Sequence, residues 1–203
     1  MSAAAATDNR RRTRLAPDLR RERIIEAATD LFERQPYDEL TTARLAEECG
    51  VSEGLLFHYF GSKRGLYMAC LERSIEAFLA SIEDPGPEHP LRERFRHALD
   101  SYLDFVEAYP RSYAAVLRGG IGADGEVHEL IELARERFAA MIVRGLGVER
   151  PAPGLLVAAW GWMGFVEAAC TRWLARREIA RDELRDLLLD FAFATVGRLA
   201  ERQ

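Results

Sequence analysis

Residues 40–63, LTTARLAEECGVSEGLLFHYFGSK, constrain the fold more than any other part of the chain. Helix caps and glycines cut this stretch into short pieces. Thr41 is a natural N-cap, and Arg44 stands where Glu or Gln would complete a capping box, so the cap is a simple one. The helix it opens, 42–49, ends at Gly50, which can take the left-handed conformation of a C′ position. Ser52 then caps a second short helix, 53–59, stopped by Gly61, and Ser62 caps a longer one over 63–82. Two short helices joined by a glycine-containing turn form a helix-turn-helix. The spacing meets its steric demands: Ala46 is small where the second helix crosses, Gly50 makes the turn, Val51 plugs the angle and Leu56 anchors the second helix. The second helix also carries four consecutive rings, Phe57, His58, Tyr59 and Phe60, which cannot all face one core. Some of that surface must be presented outside the domain.

The rest of the chain reads as helix. Residues 18–34 put Ile24, Ala28, Leu31 and Phe32 on one face, and Pro36 stops the pattern. DPGPEHP (84–90) is the clearest break in the chain. Beyond it, helices are predicted near 91–108, 111–118, 124–146, 153–176 and 181–201, punctuated by Pro110, Gly119–Gly120–Gly122, Gly145–Gly147 and Pro151–Pro153. The expected class is all-α: a three-helix helix-turn-helix domain followed by a larger helical domain, about nine helices in total. The expected divisions are a disordered basic arm at 1–17, a helix-turn-helix domain at 18–64 linked through helix 63–82, and a second domain at 65–203.

Net charge is −5, which taken alone argues against a polyanionic partner, but the charge is uneven. Residues 1–25 hold seven arginines against Asp8, Asp18 and Glu22, a basic arm on a more acidic body. The three cysteines, Cys49, Cys70 and Cys170, are odd in number and show no metal-ligand spacing, so a reducing, cytoplasmic setting is expected, without disulfides. No signal peptide is visible. The most apolar run, 154–171, contains Glu167 and is followed by Arg172, so a buried helix is expected and no membrane partner.

Residues 20–71 resemble the DNA-binding domain of the TetR family of bacterial transcriptional regulators. The resemblance runs through RRERIIEAATDLFER, Tyr37, Thr41, LAEECGVSEGLLFHYF, GSK and Leu66–Leu71, about a quarter of the chain. It implies that helix 53–59 is a recognition helix lying in the major groove, with Phe60 turned back beside Leu56. Glu53, Gly54, Leu55, Phe57, His58 and Tyr59 are then left to the duplex, with Ser52 at their head. Family members commonly have tyrosine at the position of Phe57 and histidine at that of Tyr59. Here the phenol sits two places on, so phosphate bonding falls to Tyr59 and apolar contact to Phe57. Lys63, beside Ser62 at a helix N-terminus, is expected to bind phosphate, as are Thr41 and Thr42 across the groove. Arg44 is the arginine expected to read a base edge. Glu53 either accepts from a cytosine amino group or faces solvent. A homodimer reading a palindromic operator follows from the resemblance.

The second domain carries less motif. Segment 154–174 is apolar nearly all round, and with the final helix it is expected to form a four-helix dimer interface through Gly161, Gly164, Trp173, Leu184, Leu188 and Phe191. Tyr102, Phe105, Tyr109, Tyr113, Phe138, Trp160, Trp162 and Met163, with Arg118 and Glu167 as polar groups, are expected to line a pocket for a small apolar or aromatic effector that releases the operator. Glu167 needs a partner, either Arg172, Arg118 or a ligand. The alternative is a DNA-binding regulator answering to a protein partner or to cysteine oxidation. No cofactor or metal is expected, and no enzyme: His58, His89, His97 and His128 lie apart from any nucleophile or phosphate-loop motif.

Overall fold

The structure is a computed structural model, described for residues 17–82, 85–86, 88–117 and 125–200. The expected basic arm and Arg118 lie outside the described residues. The described residues are helical without a strand, in the order α1 (Pro17–Arg34), a 3₁₀ turn (Tyr37–Glu39), α2 (Thr42–Glu48), α3 (Glu53–Phe60), α4 (Lys63–Ser81), α5 (Leu91–Ala108), α6 (Pro110–Leu117), α7 (Gly125–Gly145), α8 (Pro153–Arg176) and α9 (Arg181–Ala192). The last predicted helix is not uniform. After Ala192 it passes through a π turn, Phe193–Gly197, before a final turn at Arg198–Ala200.

The caps read from the sequence are those that form. The hydroxyls of Thr41, Ser52 and Ser62 accept from the backbone N–H of Arg44, Leu55 and Gly65, at 3.2, 3.2 and 2.9 Å. Gly50 (φ 66°) takes the left-handed turn, and Val51 N–H bonds back to the Ala46 carbonyl at 2.9 Å, closing the angle between α2 and α3.

Two apolar clusters organise the chain. The first joins Ile24, Ile25, Ala28 and Leu31 of α1 to Leu45 and Ala46 of α2, Leu56 of α3 and Leu66–Leu71 of α4. It also takes in Val127 and Ile131 of α7, so this core extends past residue 64 and is closed by a helix from the second half of the chain. The second unites α5, α6, α7, α8 and α9 around Leu99, Leu103, Val106, Leu155, Trp162, Cys170 and Leu188.

That packing corrects part of the interface expectation. Leu184, Leu188 and Trp173 face inward, only 2, 0 and 4% exposed. The Trp173 indole N–H donates to the Ile179 carbonyl at 2.9 Å, and the Trp162 indole to the Leu188 carbonyl at 3.1 Å. An α8 that is apolar all round has an inner face filling its own protomer, and its outer face is a different set: Leu156, Val157, Trp160, Gly161 and Gly164. On α9 the outward apolar residues are Leu187 and Phe191, the latter stacked on Phe165 with centroids 4.2 Å apart. By length and hydropathy α8 could also cross a bilayer. Its inner face is occupied by the protein's own core.

Charged groups fix the helices to one another. Arg181 reaches Asp100, Asp104 and Glu107 of α5, and Arg185 joins Asp100, tying α9 to α5. At the junction of the two clusters, the Glu33 carboxylate near the end of α1 accepts from the backbone N–H of Arg111 (2.7 Å) and Ser112 (2.9 Å) in the first turn of α6. The Arg111 guanidinium in turn donates to the Arg34 carbonyl at 2.8 Å. Each helix end thus caps the other, satisfying groups that a helix cannot satisfy internally.

Candidate nucleic-acid interface and ligand cavity

Helix α3 is anchored by one side chain, Leu56, which is fully buried, and Phe60 packs beside it under the Arg21 guanidinium, 5.4 Å from the ring centroid. The opposite face carries Glu53, Gly54, Phe57 and His58, all exposed, with Leu55 and Tyr59 half-buried at its flanks. Phe57 is 45% exposed, an apolar ring left open to solvent among the described residues. The Tyr59 ring touches those of His58 and Phe60, while its hydroxyl has no hydrogen-bond partner among the described residues. Gly54 has open space where a Cβ would stand. A glycine inside a helix costs about 0.5–1 kcal/mol relative to alanine, and no neighbour in the fold demands it here.

The polar residues of this face are engaged in ways the sequence did not reveal. The Thr42 hydroxyl donates to Glu53 Oε2 at 2.8 Å, clamping the start of α2 to the start of α3. Glu53 is therefore a held carboxylate and not a loose solvent charge. The Arg44 guanidinium is shared between Glu47 (3.2 Å) and Glu48 on its own helix. Such exposed pairs contribute on the order of 1 kcal/mol or less, so they can be exchanged for a stronger partner.

Lys63 departs most from expectation. Its ammonium donates to the carbonyls of Tyr37 (2.9 Å) and Leu40 (2.8 Å) and lies 4.0 Å from the Tyr37 ring centroid. Two of three donors are spent on holding the 37–40 loop against the start of α4, leaving one N–H for a phosphate. Lys63 is first a positioning residue. Across 41–63 two cations, Arg44 and Lys63, stand against three carboxylates, Glu47, Glu48 and Glu53.

The residues expected to share one effector pocket are brought together only in part: Tyr102, Phe105, Tyr109, Tyr113 and Phe138 form one cluster of touching rings around Phe78, and Phe105, Tyr109 and Tyr113 line a cavity of about 80 Å³. Trp160 is on the outer surface of α8. Met163 is buried in the second core. Tyr102 and Tyr113 are buried with their hydroxyls 2.7 Å apart, and burial raises both phenols well above their ordinary range. Phe105 and Tyr109 border a groove of about 680 Å³ between α1, α4 and α5. Glu167 is paired, with a partner that the sequence reading did not name: Arg135 of α7, bidentate at 3.0 and 2.9 Å. That pair joins residues 32 apart, and no local pattern announces it.

The largest groove is not the best ligand site. Its charged lining is Glu22, Glu26, Asp30 and Asp104 with Arg73. A smaller cavity of about 270 Å³ has the usual composition of one: Phe95, Ala98, Leu99, Phe138, Met141, Ile142 and Trp162, closed by Ile82 and Gly145 and bordered by Arg94 and Arg144. Of the expected lining, Phe138 and Trp162 belong to it. The signal missed was the run FRHAL of α5 facing FAAMIVRG of α7.

The cysteines give no support to an oxidation switch. Cys49 and Cys70 donate to the carbonyls of Ile24 and Ile25 at 3.7 and 3.6 Å. Burial pushes the thiols of Cys70 and Cys170 up to about 12 and raises that of Cys49. The reactive species is the thiolate, which all three environments disfavour.

Comparison with known proteins fits this geometry. Residues 24–70, from the core of α1 through α2 and α3 into α4, match the family described as bacterial regulatory proteins, tetR family. Residues 91–195, about half the chain, match a tetracyclin repressor-like C-terminal domain. The chain belongs to the TetR family. It is therefore a DNA-binding transcription regulator of the helix-turn-helix class. Among its relatives, the transcriptional regulator TcmR of Streptomyces glaucescens is 30% identical over 217 residues, covering 100% of this chain and 83% of that protein. The transcriptional activator FasR of Mycolicibacterium smegmatis is 28% identical, covering 96% and 90%. A TetR-family regulator from Streptomyces coelicolor has the same fold, with a TM-score of 0.82 at 29% identity over 93% of this chain and 89% of that one.

Proposed function

We propose that this TetR-family regulator binds a palindromic operator as a homodimer and is released from it by a small ligand in the 270 Å³ cavity, acting as a repressor. The observation that carries the DNA reading is the outer face of α3. An exposed phenylalanine, an unpartnered tyrosine hydroxyl and an unconstrained glycine make sense only against an external surface. In that reading Phe57 lies against thymine methyls or sugars, and Tyr59 and the third donor of Lys63 bond phosphates. His58 donates to a phosphate or a base edge, while Thr41 and Ser52, whose oxygens accept from the backbone as N-caps, keep their hydroxyl protons for phosphates. Arg44 leaves Glu47 and Glu48 for a guanine edge, and Leu55 packs at the rim of the groove.

One recognition helix makes too few base contacts for useful specificity. The outer apolar face of α8 and α9, with Leu156, Val157, Trp160, Gly161, Gly164, Leu187 and Phe191, supplies the surface for a second copy. Ligand control has a short path. Ile82, at the end of α4, borders the cavity, and Lys63, at its start, holds the loop beside α2. A ligand that prefers one position of α4 shifts the spacing of the two recognition helices.

Selection of bound duplex from a random pool tests the DNA reading. The expected result is a palindrome whose half-sites are about one helical turn, ~34–36 Å, apart. Tyr59→Phe and Phe57→Ala should weaken binding to it with the dimer intact. Recovery of no preferred sequence overturns the proposal.

A further inference from the structure

Ligand class can be read from charge. The chain carries net charge −5 and more carboxylates than cations, and its largest groove is bordered by four carboxylates. The 270 Å³ cavity is the reverse: nine of its eleven lining residues are uncharged, and both charged ones are arginines, Arg94 and Arg144. Arg144, in the last turn of α7, is exposed, and its guanidinium has no ion-pair or hydrogen-bond partner among the described residues. A cation at a helix C-terminus is stabilised by the carbonyl ends, so the fold tolerates Arg144 without a carboxylate to neutralise it. Its charge remains available at the mouth of an apolar chamber floored by Phe95, Phe138 and Trp162.

From this we propose that the cavity takes an amphipathic anion. The hydrocarbon body enters between α5, α7 and α8, and the carboxylate or phosphate head stays at the mouth on Arg144 and Arg94. A guanidinium matches both heads with two parallel N–H donors. Neutral apolar molecules of equal size fill the chamber but leave the head contact unmade. Cationic amphiphiles are repelled at the mouth. The assignment rests on reading this cavity as the ligand site, and its test does not require an operator.

Titration calorimetry of the full-length protein with decanoate, decyl phosphate, decanol and decyltrimethylammonium, each below its micelle concentration, tests it. Both anions should bind at least tenfold more tightly than decanol, with the ammonium weakest. The ratio between the two anions identifies the preferred head. Trp162 emission should change on binding, because the indole lines the chamber. Arg144→Gln should remove most of the anion preference while lowering the unfolding midpoint by no more than about 1–4 °C, the loss of one charge at a helix C-terminus. Ala98→Phe, which fills the chamber from α5, should abolish binding of all four. Equal affinity for decanol and decanoate, or an anion preference that survives Arg144→Gln, overturns the inference. Tight, Arg144-dependent anion binding with no effect on the selected operator would instead uphold it and count against ligand-controlled release.

Discussion

Replacing Glu33 with alanine probes how the reading head is held to the body. In the native protein one carboxylate accepts from two N–H groups at the start of α6, at 2.7 and 2.9 Å, and so acts as an N-cap delivered from another helix. Loss of an N-cap costs about 0.5–2 kcal/mol, and loss of an anion at a helix N-terminus about 0.3–1 kcal/mol. The contact is partly solvated and water replaces some of it, which places Glu33→Ala at about 1–2 kcal/mol. For a chain of this size each kcal/mol moves the midpoint by roughly 2–4 °C, so a drop of about 2–8 °C is expected. Glu33→Gln keeps one accepting oxygen and loses the charge, and should fall near half of that. Arg111→Ala removes only the guanidinium on Arg34 O and should cost less than Glu33→Ala. Thermal unfolding at one fixed protomer concentration is the assay, since a dimer's midpoint depends on concentration. Two variants within about 0.3 kcal/mol of wild type, or glutamine as damaging as alanine, would refute the capping argument.

Four other outcomes follow from the geometry. Tyr102→Phe or Tyr113→Phe alone strands a buried hydroxyl and should cost about 1–3 kcal/mol, while the double variant should be nearly neutral; additive losses in denaturant unfolding would contradict this. Cys70 and Cys170 stay protonated to about pH 12 when folded but ionise near 9 when unfolded, so their contribution to stability is complete below pH 9 and falls as pH rises toward 12; alkylation of native protein at neutral pH should be far slower than of unfolded chain. Val157→Arg with Leu187→Arg should give a helical monomer by sedimentation, because both side chains are exposed within the protomer; an intact dimer would place the interface elsewhere. Lys63→Ala should lower both operator affinity and the unfolding midpoint, since its ammonium holds two loop carbonyls; an unchanged midpoint would mean that it serves phosphate alone.

What the sequence revealed and what it hid have physical reasons. Thr41, Gly50, Ser52, Gly61 and Ser62 act on backbone within a few residues, so their effects are visible locally, and the three hydroxyl caps form as read. Leu184, Leu188 and Trp173 were misassigned because an apolar residue on an apolar helix does not say which side faces its own protomer. The rings around Tyr102 read in the sequence equally as the lining of a cavity or as its filling, because composition does not distinguish the two. Lys63 and Glu53 look like free groups in the sequence, yet each meets a partner that only the crossing of α2, α3 and α4, or the turn before them, brings near; Arg44, by contrast, pairs locally with Glu47 and Glu48 one turn along its own helix.

The seating of Val127 and Ile131 in the first core has a consequence for engineering. A fragment cut at the DPGPEHP break would expose a strip of oily surface where α7 had lain, and should clump or unravel instead of behaving as a portable module. Grafting this operator specificity onto another sensor would require transplanting the matching stretch of α7 with the front third of the chain.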